Sequence, residues 1–190
     1  MFRCGDEISD PATGTRFVFR RTAAETEGTA IVLEIFLPPG GLPSAEHVHP
    51  HQEQRLQVLS GPLAASVGGR RRIAGPGARF TVPAGSRCRF WNPGDEAVHL
   101  VVEISPALAL ESFVKGACLL TARARSCGRV RPGLLERAVL AALHFDTVRP
   151  ASPPAPVQRL WLAVAAPLGR ALGHRPLPSP TGPGATGSPL

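Results

Sequence analysis

Gly41 to Gly61 read GLPSAEHVHPHQEQRLQVLSG, and three of the six histidines of the chain, His47, His49 and His51, fall within this stretch. Side chains alternate between two faces along an extended segment, so residues that are two positions apart point to the same side. His47 and His49 are therefore predicted to face one ion or one buried ligand together. His51 follows a proline, which favours a turn, and we expect it to be an exposed loop histidine.

A two-part pattern of glycines and polar residues surrounds this histidine pair. The first part contains Gly41, the two histidines, Gln54 and Gly61, with gaps of five, one, four and six residues. The second part begins about fifteen residues later, with gaps of five, one, two and three residues, and contains Gly77, Pro83, Gly85, Cys88 and Asn92.

These two parts resemble the signature motifs of the cupin family. The resemblance implies a mainly β fold, an antiparallel cupin-type β-barrel of the jelly-roll type, in a layout similar to small bacterial cupin proteins that carry helices after the barrel. In that family, two histidines and a glutamate of the first motif and a histidine of the second bind a divalent metal inside the barrel. This chain departs twice, because Gln54 stands in place of the glutamate and Cys88 in place of the third histidine.

By position, the resemblance implies four metal ligands, which are His47, His49, Gln54 and Cys88. Imidazole and thiolate ligands favour zinc, iron, nickel or copper over metals that prefer oxygen. The two departures leave a second interpretation open, a degenerate pocket that has lost its metal and in which Cys88 packs as a small buried hydrophobic residue. Glu53 would replace Gln54 as a ligand only if a bulge turned its side chain to the other face.

The resemblance therefore indicates a cupin-domain protein that binds a small organic molecule in the barrel cavity. With a metal held by His47 and His49, it would be an enzyme of the dioxygenase, isomerase, decarboxylase or cyclase type. The first alternative is a metal-free barrel that binds or senses a small molecule without catalysis. The second is an interaction protein that acts through basic C-terminal helices. Neither catalysis nor the substrate follows from the sequence, because one fold hosts many chemistries.

Short β-like segments support this fold between residues 16 and 105. The pattern predicts strands at residues 16–20, 30–37, 55–60, 63–67, 79–82, 88–91 and 98–104. Turn signals such as Pro38-Pro39-Gly40-Gly41 and Gly68-Gly69 separate them. Many short strands with frequent turns argue for a closed or sandwiched antiparallel sheet. We expect a lead-in strand and loop at residues 1–29 and the cupin barrel at residues 30–105.

After about residue 106, apolar residues recur at helical spacing and predict three helices. Their stripes are Leu110, Phe113, Val114, Ala117 and Leu120, then Leu135, Val139 and Leu143, then Leu160, Val164, Leu168 and Leu172. One apolar face per helix predicts packing on the barrel or on a second copy in a homodimer. We expect this helical extension at residues 106–177, with a Pro-rich linker at 149–156 and a kink or break at Pro167. Residues 178–190 are expected to form a disordered tail.

The net charge of +7 arises outside the predicted barrel. Residues 1–120 carry twelve basic and twelve acidic side chains, whereas residues 121–190 carry nine arginines and only two acids. Because Phe145 and Trp161 are the only aromatic residues in this basic third, we expect a solvated surface and no nucleic-acid binding. No apolar run approaches the roughly 18 residues of a spanning helix, so no membrane role is expected. The four cysteines form no Cys-x-x-Cys pair and the N-terminus lacks an apolar signal core, which favours the cytoplasm.

Overall fold

A computed structural model describes residues 2–40 and 44–174 of the chain. Its strands are β1 (Glu7–Ser9), β2 (Arg16–Arg21), β3 (Ile31–Leu37), β4 (His47–Val48), β5 (Glu53–Ser60), β6 (Leu63–Val67), β7 (Arg70–Ala74), β8 (Arg79–Val82), β9 (Arg87–Trp91), β10 (Val98–Ser105) and β11 (Arg149–Pro150). Its helices are α1 (Leu110–Ser126), α2 (Leu134–Leu143) and α3 (Ala155–Ala171). The expected disordered tail, at 178–190, lies outside the described residues.

The strands form two antiparallel sheets. One has the order β1-β2-β3-β10-β5-β8 and the other the order β11-β4-β9-β6-β7. Strand β10 shows why the sequence folds this way, because its burial alternates at every residue and places Val98, Leu100, Val102 and Ile104 inside. Alternation with a period of two is what a sheet with one face on the core requires. The expected antiparallel β fold with three C-terminal helices is confirmed.

The helical extension does not form one layer. Helix α1 shares the barrel core, since Leu110, Val114 and Cys118 pack with strand residues of both sheets. Helices α2 and α3 form a second, smaller cluster around Ala138, Phe145, Leu162 and Ala165. Within residues 2–40 and 44–174, no helix combines the length and the apolar character that crossing a membrane requires.

The apolar stripe of the last helix, which we expected to pack on the barrel or on a second copy, is not covered by the barrel. Leu160, Val164, Leu168 and Leu172 are 74%, 68%, 50% and 62% exposed, and α3 instead contacts α2 through smaller residues such as Ala165, Ala166 and Gly169. A methyl group on Gly169 would lie 2.8 Å from Cγ2 of Val139 and 3.1 Å from the carbonyl oxygen of Leu135. This approach is too close for larger side chains, which is why the leucine stripe points outward. The helix also runs through Pro167 without a break.

The Pro-rich linker holds a short strand that the sequence pattern did not indicate. Strand β11 pairs with β4, with Arg149 opposite Val48 and Pro150 opposite His47. The backbone N–H of Ala151 also donates to the carbonyl of Glu46 at 3.0 Å. The extension thus forms the edge strand next to the strand that carries the first histidine.

We expect the two motif glycines Gly61 and Gly77 to tolerate alanine very differently. Both have positive φ, +72° and +83°, which costs an L-residue about 1–2 kcal/mol. At Gly61, however, a Cβ would lie 2.8 Å from the carbonyl oxygen of Ala97 and 3.0 Å from Cα of Val98, whereas at Gly77 nothing lies within 4 Å. Urea unfolding should therefore show a loss of about 3–4 kcal/mol for Gly61→Ala and about 1 kcal/mol for Gly77→Ala. Equal losses would contradict the close approach of the strand that begins at Val98.

Candidate functional site

A cavity of about 410 Å³ lies between the two sheets and is walled mainly by apolar side chains. The inward faces of β3 and β10 supply Leu33, Ile35, Leu100 and Val102, and the lining also includes Phe90 of β9. Helix α1 supplies Leu110, Phe113 and Val114, so the extension closes part of the cavity. His47, His49 and Gln54 supply polar atoms to the same wall.

The two sheets bring three of the four predicted ligands together through strand pairing and alternation. His47 lies directly opposite Cys88 in the pairing of β4 with β9. Gln54 points inward because it shares the buried face of β5 with Leu56 and Val58. Residue Glu53, one position earlier, points to the other face and forms an ion pair with Arg55 at 2.9 Å. Glu53 therefore does not replace Gln54 in the cavity.

A chain of hydrogen bonds joins Gln54, Cys88 and His47. The amide Nε2 of Gln54 donates to Sγ of Cys88 at 3.4 Å, and this sulfur lies 3.5 Å from Nε2 of His47. On its other side, Nδ1 of His47 lies 2.9 Å from the carbonyl oxygen of Ala45. A carbonyl only accepts, so the ring proton is assigned to Nδ1 and Nε2 accepts the thiol proton of Cys88.

Burial keeps the side chains of Cys88 and His47 uncharged. Burial raises the pKa of the fully buried Cys88 to about 11, although the hydrogen bond from Gln54 works in the opposite direction. Burial also lowers the pKa of His47 below its ordinary value, although the hydrogen bond to Ala45 opposes this. The ring edge of His47 still reaches the cavity. At neutral pH the pair is thus a thiol and a neutral imidazole, with no charge to balance.

His49 is held by a residue that motif spacing did not single out, Gln52. Nδ1 of His49 lies 2.7 Å from Oε1 of Gln52, whose Nε2 donates to the carbonyl oxygens of Pro106 and Ala107 at 2.8 and 2.9 Å. Because the two carbonyls fix the amide nitrogen of Gln52, its oxygen accepts the Nδ1 proton of His49. Nε2 of His49 is left as an acceptor, and no described residue is its hydrogen-bond partner. Burial, with a smaller contribution from His47, lowers the pKa of His49 to about 4.

The distances alone are compatible with a shared ion. The ring centroids of His47 and His49 are 5.3 Å apart, and two imidazoles on one tetrahedral zinc at the usual bond length would be about 5 Å apart. The separation of 3.5 Å between sulfur and nitrogen also matches the roughly 3.6 Å expected for Cys88 and His47 on one zinc.

The state of the donor atoms does not fit a preformed metal centre. A thiol proton occupies the lone pair of His47, and Gln54 turns its amide nitrogen, which is no metal ligand, toward the sulfur. Among the residues that the structure describes, no group of three or more histidine, cysteine, aspartate or glutamate side chains is arranged to hold an ion. His47, Gln54 and Cys88 therefore form a hydrogen-bonded set rather than a ligand cage, and His49 lies beside His47 with its ring bound to Gln52.

Comparison with known proteins identifies the barrel. Residues 33–104 match the family model described as the cupin domain. No curated protein sequence matches the chain.

Solved structures with a similar fold have low sequence identity to this chain. A sugar phosphate isomerase of the cupin superfamily from Silicibacter pomeroyi is 20% identical, with a TM-score of 0.46 over 53% of this chain and 70% of that one. A predicted oxalate decarboxylase from Thermotoga maritima is 16% identical, with a TM-score of 0.49 over 56% and 98%. The polyketide cyclase RemF from Streptomyces resistomycificus is 19% identical, with a TM-score of 0.46 over 56% and 78%. Similarities this distant say nothing about the substrate of this chain.

The family match covers the strands that carry both motifs, from the middle of β3 to the end of β10. The antiparallel sheets, the inward histidine pair and the second-motif strand opposite it agree with that match. The chain therefore has a cupin-type fold, and residues 33–104 are the part that matches the cupin domain model.

Proposed function

We propose that the chain binds a small organic molecule in the barrel cavity without a metal ion, with His47 and His49 at the polar end. The observation that carries this proposal is a cavity of about 410 Å³ whose wall contains a histidine with a fixed ring proton and a free Nε2. Ligand pockets commonly have volumes of about 300–1,000 Å³, mostly apolar walls and a few placed polar groups. Cys4, Cys88, Cys118 and Cys127 are free thiols, which supports a reducing, cytoplasmic location as part of the same proposal.

A metal-dependent enzyme is the second candidate, favoured by the two distances that match a shared tetrahedral ion. For that function Cys88 has to lose its proton and Gln54 has to turn its amide oxygen inward. The raised pKa of Cys88 and the hydrogen bond from Gln54 both oppose this rearrangement. The metal-free pocket needs neither change, and it is therefore the better supported of the two.

A homodimer is proposed on a separate observation, the outer face of α3. The exposed side chains on this face are Val157, Leu160, Trp161, Val164, Leu168 and Leu172. They form one continuous apolar face, and a standard interface buries roughly 800 Å² on each partner. At about 3.6 residues per turn, Arg159 and Arg170 lie well around the helix from this face, so two copies of α3 can meet without opposing their charges. We therefore propose that a second copy of the chain packs on this face, rather than a membrane or a nucleic acid.

The proposed function predicts that filling the cavity abolishes ligand binding. Val114 of α1 is 8% exposed and lines the cavity, whereas Ser112 of the same helix is exposed. Ligand-observed NMR with a chemically diverse fragment set should find binders to the wild type and to Ser112→Trp. The same binders should be lost in Val114→Trp, provided that its circular dichroism spectrum stays native. Binders that Val114→Trp leaves unchanged would place the ligand site elsewhere.

The neutral His49 predicts a loss of stability in acid. Its folded pKa of about 4 lies below the ordinary value of 6.5, so the unfolded chain takes up this proton at a higher pH than the folded one. The free energy of unfolding therefore keeps the full contribution of the neutral ring above pH 6.5. It falls by about 3 kcal/mol as the pH drops from 6.5 toward 4. NMR of the ring nitrogens should show Nδ1 protonated at neutral pH. Urea unfolding across this range should be flatter in His49→Gln, and an equally steep loss in that variant would contradict the assignment.

Metal content separates the two candidates. Protein prepared without added metal should contain far less than one equivalent of zinc, iron, nickel or copper, and Cys88→Ala should leave that content unchanged. The double change Gln54→Glu and Cys88→His should instead raise metal affinity by at least about tenfold, because it replaces an amide and a thiol with a carboxylate and an imidazole. One equivalent of metal in the wild type, lost in Cys88→Ala, would favour the enzyme.

A further inference from the structure

We infer that the ligand of this cavity is an uncharged, mainly hydrophobic small molecule that donates one hydrogen bond to His49. This inference rests on the proposed function and specifies the class of molecule that the same cavity accepts. It excludes sugar phosphates, carboxylates and other anions as the main ligands.

The described residues that line the cavity carry almost no charge. Among the described lining residues there is no lysine or arginine, and Asp10 is the only acid. Its carboxylate accepts hydrogen bonds from the backbone N–H of Ala12 at 3.1 Å and the hydroxyl of Thr13 at 2.9 Å. An anion would lose its hydration without gaining a cation, and such burial is costly.

Helix α1 makes the cavity wall more apolar than the two sheets alone would. Leu110, Phe113 and Val114 face the cavity, and Val148, after α2, joins them. Most of the described lining is apolar, and its polar members are Asp10, Thr13, Thr15, Ser44, His47, His49, Gln54 and Asn92. The side-chain nitrogen of Asn92 is used by the carbonyls of Leu37, Pro38 and Glu96, so it is not free to bind a ligand.

Size and hydrogen bonding complete the description. A volume of about 410 Å³ lies within the range of roughly 300–1,000 Å³ found for pockets that bind small organic ligands. Because His49 donates its Nδ1 proton to Gln52, its Nε2 only accepts, and the matching ligand group is a hydroxyl or an N–H. An ether or a ketone of the same shape lacks the required donor.

The test uses a matched series of probes and the full-length chain. Naphthol is uncharged, has eleven non-hydrogen atoms and carries one hydroxyl; methoxynaphthalene lacks the donor, naphthoate adds a negative charge, and glucose phosphate represents the polar class. Titration calorimetry should give the tightest binding for naphthol. Methoxynaphthalene should bind about tenfold more weakly, since one hydrogen bond is lost. Naphthoate and glucose phosphate should bind at least about a hundredfold more weakly.

Three variants of the chain show where the binding preference comes from. Naphthol binding should be lost in Val114→Trp and retained in Ser112→Trp. Leu37 lines the cavity at a partly exposed strand end, so Leu37→Arg adds a cation to the lining. This variant should shift the binding preference toward naphthoate by at least about tenfold. It also tests the inference if Val114→Trp fails to fold.

The outcomes separate the inference from the proposed function. If naphthoate or glucose phosphate binds as tightly as naphthol and is lost in Val114→Trp, the ligand class is wrong while small-molecule binding in the cavity stands. If no probe binds the folded wild type, or if binding persists in Val114→Trp, the proposed function fails as well.

Discussion

The side chain of Gln52 is the contact on which the arrangement of this site depends. It is fully buried and joins the histidine strand to the first residues of the C-terminal extension through His49, Pro106 and Ala107. A buried amide left without partners costs about 1–3 kcal/mol per group, so the three hydrogen bonds have to form together. The same bonds fix which nitrogen of His49 carries the proton. The position of the extension and the chemistry of the cavity are therefore coupled through one residue.

Much of the barrel could be predicted because its signals are local. Alternation along β10 and turn pairs such as Gly68-Gly69 are visible in the sequence, and the structure has strands at all seven predicted positions. The two-residue strands β4 and β11 could not be predicted, because they exist only through pairing between distant parts of the chain. The face of α3 that meets α2 could not be predicted for a similar reason. Helical spacing indicates an apolar face, but the small residues around Gly169 decide which face meets α2.

The sequence predicted which candidate residues lie close together, but not their protonation states or the part that Gln52 plays. Spacing placed His47, Gln54 and Cys88 at positions that alternation and register do bring together. Spacing carries no information on proton positions, and the hydrogen bonds from Gln54 to Cys88 and from Cys88 to His47 depend on side-chain orientation and burial. Gln52 carries no signal that sequence reasoning can use, because its partners are backbone carbonyls about 55 residues away. The wall from α1 is likewise a tertiary effect.

The extension consequently belongs to the site rather than to its surroundings. It supplies the carbonyl acceptors that hold Gln52, the apolar side chains of α1 that close the cavity, and the strand β11 that pairs with the strand of His47. Without these contributions, Gln52 would be a buried amide lacking its acceptors, and the cavity wall would open to water where α1 now covers it. Residues 33–104 would retain their motifs but lose part of the burial that keeps Cys88 a thiol and His49 neutral. The chemistry of this barrel is thus set jointly by its motifs and by residues more than fifty positions away in the chain.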